Sequence, residues 1–469
     1  MNGYAEFAVD VDALHDAVAR ACVALEPLGA FADGDAVRYL FAGPAGVTAL
    51  RCGRDDPQRT YRAAAGSVPL FDWHEREMRD AGGVAIADLP NPRASFADAD
   101  GAPPALTVEG KGVSVIVVGP VHAGIIEPGR FTFSTGGETV IHLDVQLSYS
   151  RRGVERFLAG RDAVGAAPAV ARICAACSAA RSWAYARALE ELAGVTCDER
   201  AEWARVVIAE LERIYNHLFD LASVAAGAGY GYGQTHGLAL KERVHQVCAA
   251  ATGHRLLFDA IVPGGVRTGV VRDPRIVAAA LGSLRADTAA YLDALFANRS
   301  VLSRFTGTGH LSVETARAFG ATGPARRACG AAIDMRRLQP YGAYCDAAPA
   351  ASCEAAGDVA ARCRVKAAEL ADSFDLVERA LRELGDAAPP PPAPLRSRSG
   401  AITTVVEGAR GAESVSLSCD RRGRLTAIHV TSASYRNWPV VVRAMEGNIV
   451  PDFPLVNKSF NLCYACADR

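Results

Sequence analysis

The chain has 469 residues, enough for about three domains at roughly 150 residues each. Half of them are hydrophobic, and 50 Lys and Arg face 52 Asp and Glu, a formal charge of -2 at pH 7. The length excludes a disulfide-stapled miniprotein and the charge balance a basic nucleic-acid-binding domain, so no nucleic-acid partner is expected.

Residues 1–14, MNGYAEFAVDVDAL, carry Glu6, Asp10 and Asp12 and no Lys or Arg, the reverse of a signal peptide's basic start. A cytoplasmic location is the expectation. The first 95 residues read as a small α+β unit: a helix over 11–25, strands over 36–41 and 46–52, and the charged amphipathic segment FDWHEREMRDAGG. Pro90, Pro92 and a polar stretch through Pro104 make 96–106 the expected linker. From 107 to 469 a second domain follows. It opens on β signals, VSVIVVGP and then RFTFS and TVIHLDVQL flanking Gly136 and Gly137, a hairpin by alternation and turn chemistry. From Gly153 to Leu384 the pattern is helical, broken at Gly and Pro. Leu221 to Leu240 is long and uncharged, but five Gly with Gln234 and His236 argue against a membrane span. The prolines of 389–394 form a stiff connector. Beyond it lie a second hairpin region, ITTVVEG and ESVSLSCDRRGRLTAIHVTS, a short helix over 439–445 and an irregular tail. The fold class expected is α+β, a small N-terminal α+β domain before a mainly helical domain with peripheral β-hairpins.

Thirteen cysteines without an export signal are expected to be reduced thiols. Only two Cys-x-x-Cys pairs occur, Cys174 with Cys177 in ARICAACSAARSW and Cys463 with Cys466 in SFNLCYACADR. At a helix start, i and i+3 share one face, so each pair can present two sulfurs to one soft metal. The pairs lie too far apart for a zinc ribbon. Closing the loop between them costs about 5 kcal/mol by (3/2)RT ln n, a cost that a local structural zinc avoids. Spacing alone leaves three readings open: unrelated buried cysteines, a structural zinc, and a catalytic or redox metal.

The flanks of both pairs resemble the nickel-binding motifs of nickel-iron hydrogenase large subunits, in the membrane-associated, complex-I-like branch that includes formate hydrogenlyase. The resemblance runs through GPVHAGIIEPGRFTFS, YSRRGVERFLAG, ERIYNHLFD, TGHRLLFDAIVPGGV, GPARRACG, EGARG and DFPLVNKSFNLCYACADR, in the order of that branch. Residues 71–93 resemble the signature of the 30-kDa subunit of complex I, which several such hydrogenases carry as an N-terminal fusion.

The resemblance implies terminal nickel ligands at Cys174 and Cys463. Cys177 and Cys466 would bridge nickel to an iron that also holds carbonyl and cyanide. Hydrogen would be split into, or formed from, a hydride and a proton, the proton passing through Cys463. Glu127 in IIEPGRF matches the acidic proton relay, and Arg410 in EGARG the arginine over the iron that hydrogen-bonds a cyanide. It also implies partners: an iron-sulfur small subunit, similar to the 20-kDa subunit of complex I, that carries a 4Fe-4S cluster, and membrane subunits that hold the complex on the inner face of the cell membrane. The readings set against it are a complex-I-like quinone-site or scaffold subunit without nickel, and a structural zinc protein. His122 and His217 match positions shared with the 49-kDa subunit of complex I, and core hydrogen bonding is expected of them rather than ligation.

Several positions depart from the family pattern. Ala175 stands for Gly, Ala409 for Pro, Asn461-Leu462 for Asp-Pro, and Arg130, Arg151 and Arg181 stand where His is usual. Arg181 matters most, because a permanent charge near a bridging cysteine needs a partner or water.

Overall fold

The computed structural model describes residues 3–56, 58–96, 102–122 and 126–469. It is α+β, as the sequence predicts. The expected linker falls partly on 97–101, and the GPVHAGII segment partly on 123–125, both outside the described residues.

The N-terminal unit is a four-stranded sheet beside two helices. Strand Gly3–Ala8 runs parallel to Gly46–Gly53, which pairs antiparallel with Ala36–Gly43, itself antiparallel to Glu26–Ala32. One face buries Val37, Tyr39 and Phe41 against Leu14 and Val18 of helix Val11–Ala24 and Phe71 of helix Phe71–Asp80. The other face buries Leu28, Leu40 and Val47 against Met335, Val405 and Ala412 of the larger part of the chain. Glu75, buried in this unit, accepts from Tyr39 Oη at 2.7 Å and from the Ala64 and Ala65 amides at 2.7 and 3.1 Å.

The larger part is organised on helix Glu199–Gly227, most of whose residues are buried, charged ones included. Helices Ser178–Ala193, Gly231–Thr252, Val359–Leu384 and Phe453–Phe460 pack on it. The helical stretch predicted over 153–384 is interrupted more than its composition suggests: 253–273 and 306–358 hold only short helical turns, bends and a two-stranded pairing. The hairpin over 130–146 forms as expected and gains strand Val113–Val118 on its edge. The second hairpin region is a three-stranded antiparallel sheet of Gly400–Gly408, Gly411–Cys419 and Leu425–Thr431.

The tail corrects the sequence reading. The helix expected from Pro439 begins earlier, as Ala433–Met445, because the Ser432 side chain caps it by accepting from the Tyr435 amide. The segment expected to be irregular contains helix Phe453–Phe460, which tolerates Pro454 in its first turn, where no intrahelical donor is needed. No described helix is long and apolar enough to cross a membrane.

Candidate metal centre

The first cysteine pair sits on a single 3-10 turn, Ala175–Cys177, that runs straight into helix Ser178–Ala193. The Cys177 amide donates to Cys174 O at 3.3 Å, which folds the two thiols to one side. Helix Glu199–Gly227 clamps this turn. Glu212 accepts from the Ala179 and Ala180 amides at 2.6 and 3.0 Å, taking donors that a helix start leaves free. Asn216 Nδ2 donates to Ala176 O at 2.8 Å. Burial pushes the Glu212 carboxyl up to about 7 despite those amides.

The second pair follows helix Phe453–Phe460. Asn461 ends that helix in the left-handed region, with φ 51°, and turns the chain back toward the first pair. The Cys463 amide donates to Ser434 Oγ at 3.1 Å, and the Tyr464 ring packs on Trp438 with centroids 5.0 Å apart. Arg152 ties the two segments together, its Nη2 donating to Ile173 O and Ala465 O, each at 2.7 Å. Arg469 is locked too: it reaches Glu155 at 2.8 Å and Glu77 at 2.8 and 3.0 Å, and lies over the Tyr435 ring.

The fold thus brings together Cys174, Cys177, Cys463 and Cys466, with their four sulfurs all within 4.8 Å of one another. Three are buried and Cys463 is half-buried. Hydrogen bonds from Cys174, then Cys177 and Cys463, hold Cys466 well below the ordinary thiol range, and the Arg181 guanidinium adds to this.

Two buried arginines flank the sulfurs. Arg410 is buried, and all of its nitrogens donate to protein: Nη1 to Asn216 Oδ1 at 2.8 Å, Nη2 to Asp220 Oδ1 at 3.2 Å, and Nε to Asn461 O. Burial works against ionisation of Asp220, but Lys366, at 2.7 Å, and Arg410 outweigh it and keep the carboxyl below its usual range. Arg181 is fully enclosed. Its Nη2 donates to Glu413 Oε2 at 2.8 Å and to Cys466 Sγ at 3.3 Å, so the charge that replaces the usual histidine has a partner. Arg181 Nε and Nη1 are buried with no hydrogen-bond partner among the described residues. Soft thiols in one compact set, with spare cationic donors beside them, fit a thiolate-ligated metal that carries anionic ligands.

The other sequence candidates lie as follows. Glu127 is exposed on the loop before strand Arg130–Gly136 and is electrostatically coupled to Tyr464 and Asp468. Two residues on, Gly129 lies against the Tyr464 ring so closely that a Cβ there would be 2.6 Å from Cε1. His122 hydrogen-bonds Gly129 O at 2.7 Å and His217 hydrogen-bonds Glu369 at 2.8 Å; neither joins the sulfurs. Arg151 stacks on Phe96, with 3.8 Å from its guanidinium carbon to the ring centroid. Asp220, Lys366 and Glu413 belong to the site without being sequence candidates. Asp220 stands in the segment ERIYNHLFD; Lys366 lies on an ordinary amphipathic helix, and nothing local marks it.

The chain folds its two distant cysteine pairs into one compact thiol set, and the comparisons find both hydrogenase and complex I relatives. Residues 152–224 match the family model for nickel-dependent hydrogenases, and residues 234–393 match that for the 49-kDa subunit of respiratory-chain NADH dehydrogenase. Formate hydrogenlyase subunit 5 of Escherichia coli is 28% identical, over 87% of this chain and 77% of its own length. The membrane-bound hydrogenase subunit alpha of Pyrococcus furiosus is 29% identical, over 76% and 87%. An NADH-quinone oxidoreductase subunit of Thermosipho melanesiensis is 27% identical, over 75% and 98%. A chain of the membrane-bound sulfane sulfur reductase, an archaeal respiratory membrane complex, shares the fold with a TM-score of 0.70 at 24% identity, over 76% of this chain and 99% of that one. The chain is thus similar both to membrane-bound hydrogenase subunits and to the complex I 49-kDa subunit.

Proposed function

We propose that this chain is the catalytic large subunit of a nickel-iron hydrogenase complex. The observation that carries the reading is the compact set of Cys174, Cys177, Cys463 and Cys466, three of them buried. A nickel-iron centre with carbonyl and cyanide on its iron would supply heterolytic cleavage or formation of dihydrogen. Cys174 and Cys463 would hold nickel alone, and Cys177 and Cys466 would hold both metals.

The protein's own contribution is to fix four sulfurs, exclude water from three of them, and move a proton. Cys463, the half-buried member, holds the proton at Sγ. Glu127 takes it toward solvent from the loop that packs on Tyr464, the residue beside Cys463. Arg410 sets the charge on the opposite side through its buried contact with Asp220. With four thiols committed and no third Cys pair in the chain, electrons leave through an iron-sulfur partner similar to the 20-kDa subunit of complex I, carrying a 4Fe-4S cluster. Membrane subunits would hold the complex on the inner face of the cell membrane; the residues 1–95 unit would act in assembly as a 30-kDa-type domain joined to 107–469.

The test is metal analysis with infrared spectroscopy on protein matured in its own host. One nickel and one active-site iron per chain, with carbonyl and cyanide bands, is the expected result, and Cys177→Ser or Cys466→Ser abolishes both metals. Stoichiometric zinc without those bands assigns a structural zinc protein; no bound metal leaves the quinone-site or scaffold reading.

A further inference from the structure

The Arg181 side chain is the least explained group at the site. It is 0% exposed, and among the described residues only one of its three nitrogens finds an acceptor: Nη2 serves Glu413 and Cys466, while Nε and Nη1 have none. A buried unsatisfied donor costs about 1–3 kcal/mol, more for a charged group. Two on one guanidinium therefore point to an acceptor that this side chain meets when the site is filled. Arg410 is spoken for in comparison, since Nε, Nη1 and Nη2 each donate to a protein oxygen.

The geometry holds Arg181 firmly. Glu413 is 1% exposed, accepts from the Ala433 amide at 3.0 Å with its other oxygen, and so cannot swing away without losing two bonds. Arg181 Nη2 lies 3.3 Å from Cys466 Sγ, which places the cation directly beside the sulfur set. A planar guanidinium held at Nη2 leaves Nε–H and Nη1–H directed to different edges of its plane, so each is free to meet an acceptor of its own.

We propose that Arg181, held by Glu413, is a positioning residue that fixes the Cys466 sulfur through Nη2 and donates one of its unused N–H groups, Nε–H or Nη1–H, to an anionic ligand of the metal centre, of the class of the iron-bound cyanide. This rests on the nickel-iron reading above. It assigns to Arg181 a contact that the resemblance alone gives to Arg410.

The test uses the complex purified from its host, with metal content and infrared bands read on the parent, Arg181→Lys and Arg181→His. Lysine keeps the charge but loses the separately directed N–H donors; histidine is the smaller residue usual at this position in the resembling family and gives a variant expected to fold. In both variants nickel and iron stay within twofold of the parent, and at least one cyanide band moves to lower wavenumber as a donor is withdrawn from its nitrogen. Metal-loaded variants with cyanide bands unmoved overturn the proposal and leave the nickel-iron reading standing. Absence of cyanide bands in the parent overturns both.

Discussion

Around the sulfurs, single side chains decide whether charge can be buried at all. Asp220 is fully enclosed between Lys366, Arg410 and Asn461, the last donating at 2.5 Å. Removing one partner of such a set leaves an uncompensated charge, a loss of roughly 3–5 kcal/mol, whereas removing both members of a pair can be nearly neutral. Lys366→Met is therefore expected to destabilise the protein by about 3 kcal/mol in denaturant titration, and Lys366→Met with Asp220→Asn to recover at least half of that. Additive losses in the double variant would show that the two groups do not compensate one another. Glu127 is different in kind, being exposed and outside the packed set. On the hydrogenase reading, Glu127→Gln retains full metal content and lowers hydrogen-deuterium exchange at least tenfold, because an amide fills the same volume without carrying the proton. Unchanged exchange would move the relay elsewhere. The sequence displays the four cysteines and Arg410 because motif spacing survives in a linear string. It hides Glu413 and Lys366, whose importance comes from facing Arg181 and Asp220 across distant segments, and a lone charge on a helix or strand reads as a solvated one.

At the scale of elements, the same contrast explains which parts of the fold are legible. Strands over 36–43 and 46–53, helix Val11–Ala24 and the hairpin Arg130–Gly136 with Thr139–Gln146 follow local patterning. Helix Glu199–Gly227 is helical as expected, yet its charged residues do not face water: Glu210 meets Arg213, Arg336, Tyr344 and Ser373, and His217 meets Glu369. Periodicity reports the helix and cannot report a buried ionic lattice. Helix Ala433–Met445 is longer than its sequence suggests because Pro439 signals a first helical turn, while the Ser432 cap well before it sets the true start. Among the elements, helix Phe71–Asp80 carries a pH dependence. Burial raises the Glu75 carboxyl from 4.5 to about 7, against the hydrogen bonds of Tyr39, Ala64 and Ala65. Between those values the folded chain binds the proton and the unfolded chain does not, so stability is greatest below about pH 4.5 for this group and falls as pH rises through 7. The full loss is about 3 kcal/mol at 1.36 kcal/mol per unit. Glu75→Gln should flatten that part of the stability profile of the N-terminal unit; an unchanged slope between pH 5 and 7.5 would mean that Glu75 is ionised throughout.

For the whole molecule, the N-terminal unit is joined to the site by more than a covalent connection. Arg93 forms a paired contact with Asp144 at 2.7 and 2.9 Å, Arg436 donates to Pro27 O at 2.8 Å, and Tyr435 Oη donates to Glu77 at 2.8 Å. Glu77 also accepts both contacts from Arg469 Nη2, three residues beyond Cys466. A unit that resembles an assembly domain thus holds one end of the segment that delivers Cys463 and Cys466. Arg469 is only 4% exposed, and with Glu77 neutralised it would keep Glu155 alone. Losing one charge-assisted partner of a buried guanidinium costs roughly 1.5–3 kcal/mol, felt in the segment that Arg469 ties down. Glu77→Gln is therefore expected to raise amide hydrogen exchange across 461–469 at least tenfold, with exchange in helix Glu199–Gly227 unchanged. A chain cut between Pro92 and Pro104 should show the same loosening and more, since it also uncovers Met335, Val405 and Ala412. Equal protection of the tail in both proteins would mean that Glu155, Arg152 and the Tyr464 packing suffice to close the site without the N-terminal unit.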